Sequence, residues 1–201
     1  MRSRDNLKIA IIGLNGIGTY FVRSLSELIK KDVSGLDRIN PMAIDLYDYD
    51  TIEEKNFSYT IYDIEHLGRN KAEVLAEITG YKAVAEKIEK PEQLAGYDFI
   101  ILCVDNNMTR QLVYNSGLPF LDLRANGKSI FASLTSKELD VDKKYIDLTP
   151  ENALKGSCQR EEDLEDKHIQ AGNLIVASVG IQFLLDYLRG ETKQKDLIQY
   201  I

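Results

Sequence analysis

Residues Leu7 to Gly18 read LKIAIIGLNGIG, an apolar run that ends in a glycine-rich turn. Ile9, Ala10, Ile11 and Ile12 form the run, and an amphipathic stretch from Ile17 to Ile29 follows at once. Strand, glycine turn and helix in that order make the layout of a phosphate-binding βαβ unit. Gly13 permits a sharp turn, and Gly16 and Gly18 allow backbone and helix to come close to a pyrophosphate. The N–H groups at the helix start, with the positive end of its dipole, then face the phosphates. The turn departs from G-x-G-x-x-G, because Asn15 stands where the second glycine belongs. Asn tolerates a left-handed backbone better than most residues, so the turn is expected to survive.

Composition narrows what such a unit can serve. A chain of 201 residues, 44% hydrophobic and 28% charged, suits one globular domain spanning 1–201. The net charge of −7 argues against a nucleic-acid partner. The polar start MRSRDNLK has no apolar run of the kind a signal peptide carries. The most apolar later stretch, Asn173 to Tyr187, is interrupted by Ser178, Gln182 and Asp186 and is too short to span a bilayer. Two cysteines, Cys103 and Cys158, form no C-x-x-C pair, which points to a reducing cytoplasm rather than a disulfide framework.

Along the chain, Met42 to Tyr47 reads as a second strand ending in Asp48-Tyr49-Asp50, and Gly68 to Ile78 as a helix. Tyr81 to Ile88 reads as a short strand, and Pro91 to Gly96 as a short helix. Asp98 to Val104, DFIILCV, has the near-continuous apolar character of a parallel strand covered on both faces, and Asp105 follows its carboxyl end. Met108 to Tyr114 is helical. Phe120 to Leu123 and Ser129 to Leu134 are strands that Asn126-Gly127-Lys128 can join as a hairpin. Glu138 to Asp166 reads as a charged surface excursion, Asn173 to Arg189 as a helix buried in the core or in a subunit interface, and Glu191 to Ile201 as a polar tail with an apolar end. The expected fold is therefore α/β: a Rossmann-like, mostly parallel sheet with helices on both faces and antiparallel strands in the C-terminal half.

In an open α/β sheet, ligands sit beyond the carboxyl ends of the strands. Three strand ends supply polar groups here: the glycine turn, Asp48 with Asp50, and Asp105, with Asn56 and Lys71 lying between. Backbone N–H groups, Asn56 and Lys71 as donors, and Asp105 as an acid, suit a triphosphate with Mg²⁺, and Asp48 suits a ribose hydroxyl. Each also has an ordinary structural use. Asp48 and Asp50 could line a solvated turn, Lys71 could be a helix-surface lysine, and Asp105 could cap the next helix. Cys103, inside the apolar run, reads as a core residue. His66 and His168 have no partner pattern.

The ordered blocks GLNGIG, YDYDTIEEKNF, HLGRNKAEV and FIILCVDN resemble the ubiquitin-activating family, which includes the ThiF- and MoeB-like bacterial adenylyltransferases. Gly13, Gly16 and Gly18 match the family's turn, Asp48, Asp50, Ile52 and Asn56 its second block, Gly68 and Lys71 its third, and Asp105 and Asn106 its fourth. AGNLIVASVGIQFLLDYLRG, from Ala171, resembles the family's late helix. The resemblance implies ATP and Mg²⁺ as cofactors, with Asp48 on the ribose, Asn56 and Lys71 on the phosphates and Asp105 on the metal. It also implies adenylylation of a carboxylate, usually the C-terminal glycine of a ubiquitin-like or sulfur-carrier protein, by a homodimer. Cys158 lies where many members carry a thioester-forming cysteine. The chain departs from the pattern at Asn15, at Tyr59-Thr60 in place of Arg-Gln, and in lacking the metal-binding cysteine pairs. Arg69, or Arg2 and Arg4 of a second subunit, are the candidates to replace the arginine. Two other readings compete: a non-catalytic member that binds or scaffolds a partner, and an NAD-dependent oxidoreductase, which Asn15 and Asp105 disfavour.

Overall fold

The computed structural model describes residues 6–135, 170–192 and 196–201. Seven strands form one sheet in the order β3-β2-β1-β4-β5-β6-β7. They are β1 (Leu7–Ile12), β2 (Ile39–Tyr47), β3 (Lys82–Val84), β4 (Phe99–Leu102), β5 (Phe120–Asn126), β6 (Ser129–Thr135) and β7 (Asp196–Tyr200). The first five are parallel; β6 pairs antiparallel with β5, and β7 antiparallel with β6. Four α-helices accompany them: α1 (Gly16–Lys30), α2 (Lys71–Thr79), α3 (Asn107–Asn115) and α4 (Gly172–Arg189).

The apolar runs lie where both faces of the sheet are covered. In β1, Ile9 and Ile11 pack on one face with Phe21, Val22 and Leu25 of α1 and Leu184 and Leu188 of α4. Ala10 and Ile12 point to the other face, with Leu94, Val113 and Tyr97. Each fully buried Ile or Leu contributes on the order of 1.5–3 kcal/mol relative to exposure, so this two-sided core fixes the strand order. Close approach of α4 to the sheet depends on Gly180, where an added Cβ would lie 2.6 Å from the Leu123 side chain.

Several boundaries differ from the sequence expectation. The third strand shrinks from Tyr81–Ile88 to Lys82–Val84, because it pairs only with the last residues of β2. The second begins earlier, at Ile39, and carries Pro41 in its first half, outside the Ile44–Tyr47 portion that pairs continuously with β1. The second helix begins at Lys71 rather than Gly68, because Asn70 caps it by accepting from the Ala72 and Glu73 N–H groups. The stretch after Pro91 is a 3-10 turn, Pro91–Leu94. The apolar end of the tail is an edge strand, β7, paired with β6. The hairpin is present: Asn126 pairs with Ser129, and Gly127 takes φ +58° at the turn. Strand β1 lies between β2 and β4, so the chain reverses its direction of travel across the sheet at the β1/β4 boundary, and the carboxyl ends there open onto a cleft.

Candidate functional site

The cleft is bounded by the glycine turn (Gly13, Asn15), the β2 end (Tyr47, Asp48, Tyr49, Asp50), the segment after β3 (Glu86, Lys87) and the β4–α3 turn (Asp105, Asn106, Thr109). Of the sequence-derived candidates, Gly13, Asn15, Asp48, Asp50 and Asp105 line it; Gly16, Gly18, Asn56 and Lys71 are buried and do not line it. Cys158 lies outside the described residues, as do Arg2 and Arg4.

Asp48 ties the β2 end to the glycine turn. Its Oδ2 accepts the Leu14 N–H at 2.7 Å and its Oδ1 accepts the Asp50 N–H at 2.9 Å. Burial pushes its carboxyl pKa upward, against the opposing pull of Lys71 and of these two backbone donors. The Asn70 amide holds the carbonyls of Asp48 and Asp50 at 3.0 and 3.1 Å. Lys71 is buried, and its Nζ meets Asp50 Oδ2 at 3.3 Å. Tyr62, which the sequence reading passed over, donates its hydroxyl to the Leu14 carbonyl at 2.7 Å and approaches the Lys71 carbonyl at 3.3 Å. The turn, the β2 end and the start of α2 are thus one hydrogen-bonded block.

The turn itself differs from the expectation at Asn15. The left-handed residue is Gly13, at φ +89°; Asn15 sits at φ −97° and needs no special tolerance. Asn15 occupies the N-cap position of α1 without making a capping bond. Its amide is turned instead toward two buried residues. Asn56 Nδ2 donates to Asn15 Oδ1 at 3.3 Å and to the Tyr59 hydroxyl at 2.8 Å, and Asn15 Nδ2 reaches the same hydroxyl at 3.5 Å. The remaining glycines are places of close approach. A Cβ on Gly18 would lie 2.0 Å from the Gly13 carbonyl oxygen, and one on Gly16 would lie 2.3 Å from Asn173 Nδ2. Asn173, on α4, is 1% exposed, and neither amide atom has a hydrogen-bond partner among the described residues.

The β4 end is built differently. Asp105 is exposed, and the cap of α3 is Asn106, whose Oδ1 accepts the Thr109 N–H at 2.8 Å. Capping therefore does not occupy Asp105. The turn that carries it is stapled by buried Arg110, which donates to the Val104 carbonyl, to Asn107 Oδ1 at 3.0 Å, and pairs with Asp122 Oδ1 at 3.5 Å. Asp122 is shared with Arg124 of the same strand. The sequence signal for this cluster was two charges at alternate positions of an otherwise apolar strand, FLDLRAN.

Charge in the cleft is predominantly acidic. Among the described residues, Asp48, Asp50, Glu86 and Asp105 line it against the one ammonium of Lys87, with no arginine beside them. The field is felt by Tyr49, whose hydroxyl pKa is raised first by Asp50, then by desolvation, and further by Asp48 and Asp105. Among the described residues no group of three metal-ligating side chains comes together.

Residues 2–195 match the ThiF family. The chain belongs to that family. Among solved structures, it is similar to E. coli MccB crystallised with AMPCPP and MccA, at TM-score 0.63 and 16% identity over 97% of this chain and 64% of that one. MccB crystallised with ATP superposes with TM-score 0.65 at 14% identity, over 98% and 64%. The selenomethionine form of PaaA superposes with TM-score 0.66 at 16% identity, over 97% and 69%. Identities this low establish the shared fold, and the chain spans about two thirds of the length of these structures. By sequence, no characterised protein matches it significantly.

Proposed function

We propose that this ThiF-family chain binds ATP with Mg²⁺ in the cleft and transfers the adenylyl group to a carboxylate. The observation that carries the reading is the pair of acids flanking the glycine turn at the switch point: Asp48, buried and fixed to the turn, and Asp105, exposed and not used as a cap. Asp48 would receive the ribose hydroxyls. The N–H groups at the start of α1, which Asn15 does not cap, would receive phosphate oxygens, with Asn56 and Lys71 behind them.

The acidic lining fits a divalent cation. Mg²⁺ characteristically takes one or two carboxylates and completes its shell with phosphate oxygens and water, so a single exposed Asp105 suffices where the described residues form no three-residue cluster. When bound, it would offset the phosphate charge that four carboxylates otherwise repel. The chain's residues supply alignment: a substrate carboxylate oxygen forms a bond to the α-phosphorus, the bond to the β-phosphate oxygen breaks, and pyrophosphate leaves.

The proposed substrate carboxylate is the C-terminus of a small ubiquitin-like or sulfur-carrier protein or of a peptide; a neighbour of the same fold, MccB, was crystallised with MccA. A homodimer working in the cytoplasm belongs to the same reading. One observation favours a second reading, a binding subunit without turnover. Among the described residues no arginine lines the cleft, and the place where the family resemblance expects one holds the buried Tyr59. ATP–pyrophosphate exchange driven by a captured small protein ending in Gly-Gly separates the two. Exchange that disappears in Lys71→Ala supports adenylylation, whereas partner and ATP binding without exchange supports the second reading.

A further inference from the structure

The glycine turn is joined to the segment after β2 by a hydrogen-bonded trio of side chains at the edge of the cleft. Asn15 is the one member of the Asn15–Asn56–Tyr59 trio that lines the cleft; Asn56 and Tyr59 are 1% and 2% exposed behind it. The Asn56 amide is fully committed. Its Oδ1 accepts the Glu53 N–H at 2.8 Å, and its Nδ2 donates to Asn15 and Tyr59. Asn15 forgoes the cap of α1, its usual local use, to complete this set. Its side chain therefore occupies the Asn56 amide and the Tyr59 hydroxyl from the cleft side of the wall, while the N–H groups at the helix start stay uncapped.

We infer that Asn15 selects for the length of the phosphate chain: a monophosphate unit such as AMP or an acyl-adenylate enters with the trio intact, whereas the further phosphates of ATP enter only after Asn15 leaves Asn56 and Tyr59. This rests on the nucleotide reading above and goes beyond it. The trio weakens ATP relative to adenylate, so the site keeps its adenylated product more tightly than its triphosphate. Two side-chain hydrogen bonds between neutral groups must open, each with a modest net value, and together they correspond to about a tenfold difference in affinity.

Titration calorimetry with AMP and ATP, both with Mg²⁺, on the wild type, Asn15→Gly and Tyr59→Phe tests the inference. Asn15 makes no capping bond for Gly to remove, and Phe keeps the buried ring, so both variants should fold. Wild type should bind AMP at least as tightly as ATP. Asn15→Gly should tighten ATP by about tenfold and leave AMP within about twofold, and Tyr59→Phe should shift ATP in the same direction by less. Equal changes for the two nucleotides in Asn15→Gly, or weaker ATP binding, would overturn the inference while leaving the nucleotide reading standing. Failure of every variant to bind either nucleotide would overturn both.

Discussion

The two acidic ends of the cleft are built on opposite plans. At the β2 end, Asp48 is buried, accepts two backbone N–H groups and belongs to a block that also holds Asn70, Tyr62 and Lys71. At the β4 end, Asp105 stands exposed on a turn fixed from beneath by Arg110. The first arrangement exists before any ligand arrives and couples the site to the stability of the fold. The second keeps an oxygen ligand accessible and leaves the fold nearly indifferent to it. A group whose work is to position the nucleoside belongs on the rigid end; a group that meets a hydrated cation belongs on the open one.

That contrast is broken most visibly at Asp105. Asp105→Ala should lower Mg²⁺-dependent exchange by a hundredfold or more, about 3 kcal/mol of transition-state stabilisation, and leave the melting temperature within about 1 °C. Exchange near wild type would remove the metal role. Next in size is Gly18→Ala. The Gly13 carbonyl lies 2.0 Å from the added Cβ, so turn and helix must move apart. A loss of about 1–3 kcal/mol, on the order of 3–10 °C in Tm, is expected by differential scanning calorimetry.

The rigid end is sharpened by pH. Because the folded pKa of Asp48 is raised, burial of its charge opposes folding above the unfolded pKa, and that penalty is relieved as pH falls. Nucleotide binding should move the other way. Ribose contact needs the carboxylate, so affinity should fall with decreasing pH through the raised Asp48 pKa, a midpoint above the ordinary value of about 4. Asp48→Asn should abolish this dependence; an unchanged profile would detach Asp48 from the ligand. The smallest effect concerns Cys158. Cys158→Ala should leave exchange intact, because adenylylation needs no thiol, and at most remove a reductant-sensitive adduct with the partner. Loss of exchange in that variant would make the cysteine part of substrate binding.

Much of the frame was legible in the sequence because its signals are local. The four-residue apolar run of β1, the DFIILCV stretch and the Asn-Gly hairpin each carry enough pattern to place a strand. The ThiF-type blocks likewise located Gly13, Asp48, Asp50 and Asp105 on the wall of one cleft. What the sequence hid is side-chain reach. Nothing local shows that Asn15 turns away from its own helix toward Asn56 and Tyr59; the Asn70 cap of α2, by contrast, is a local signal that the reading from Gly68 passed over. Reach also hid the Asn173–Gly16 contact, which joins residues far apart in the chain, and the Arg110–Asp122 pair, which crosses from α3 to β5. The C-terminal tail hid its strand for a related reason: β7 is an edge, and Ile198 and Tyr200 are exposed, so no alternation of burial marks it.

The central claim, that this is an adenine-nucleotide triphosphate site and not a dinucleotide one, is tested most directly by titrating the chain with ATP in the presence of Mg²⁺ and with NAD under the same conditions. Saturable ATP binding that weakens on chelation of the metal, with NAD binding weaker than ATP, is the predicted result. NAD binding tighter than ATP, unaffected by chelation, would contradict it.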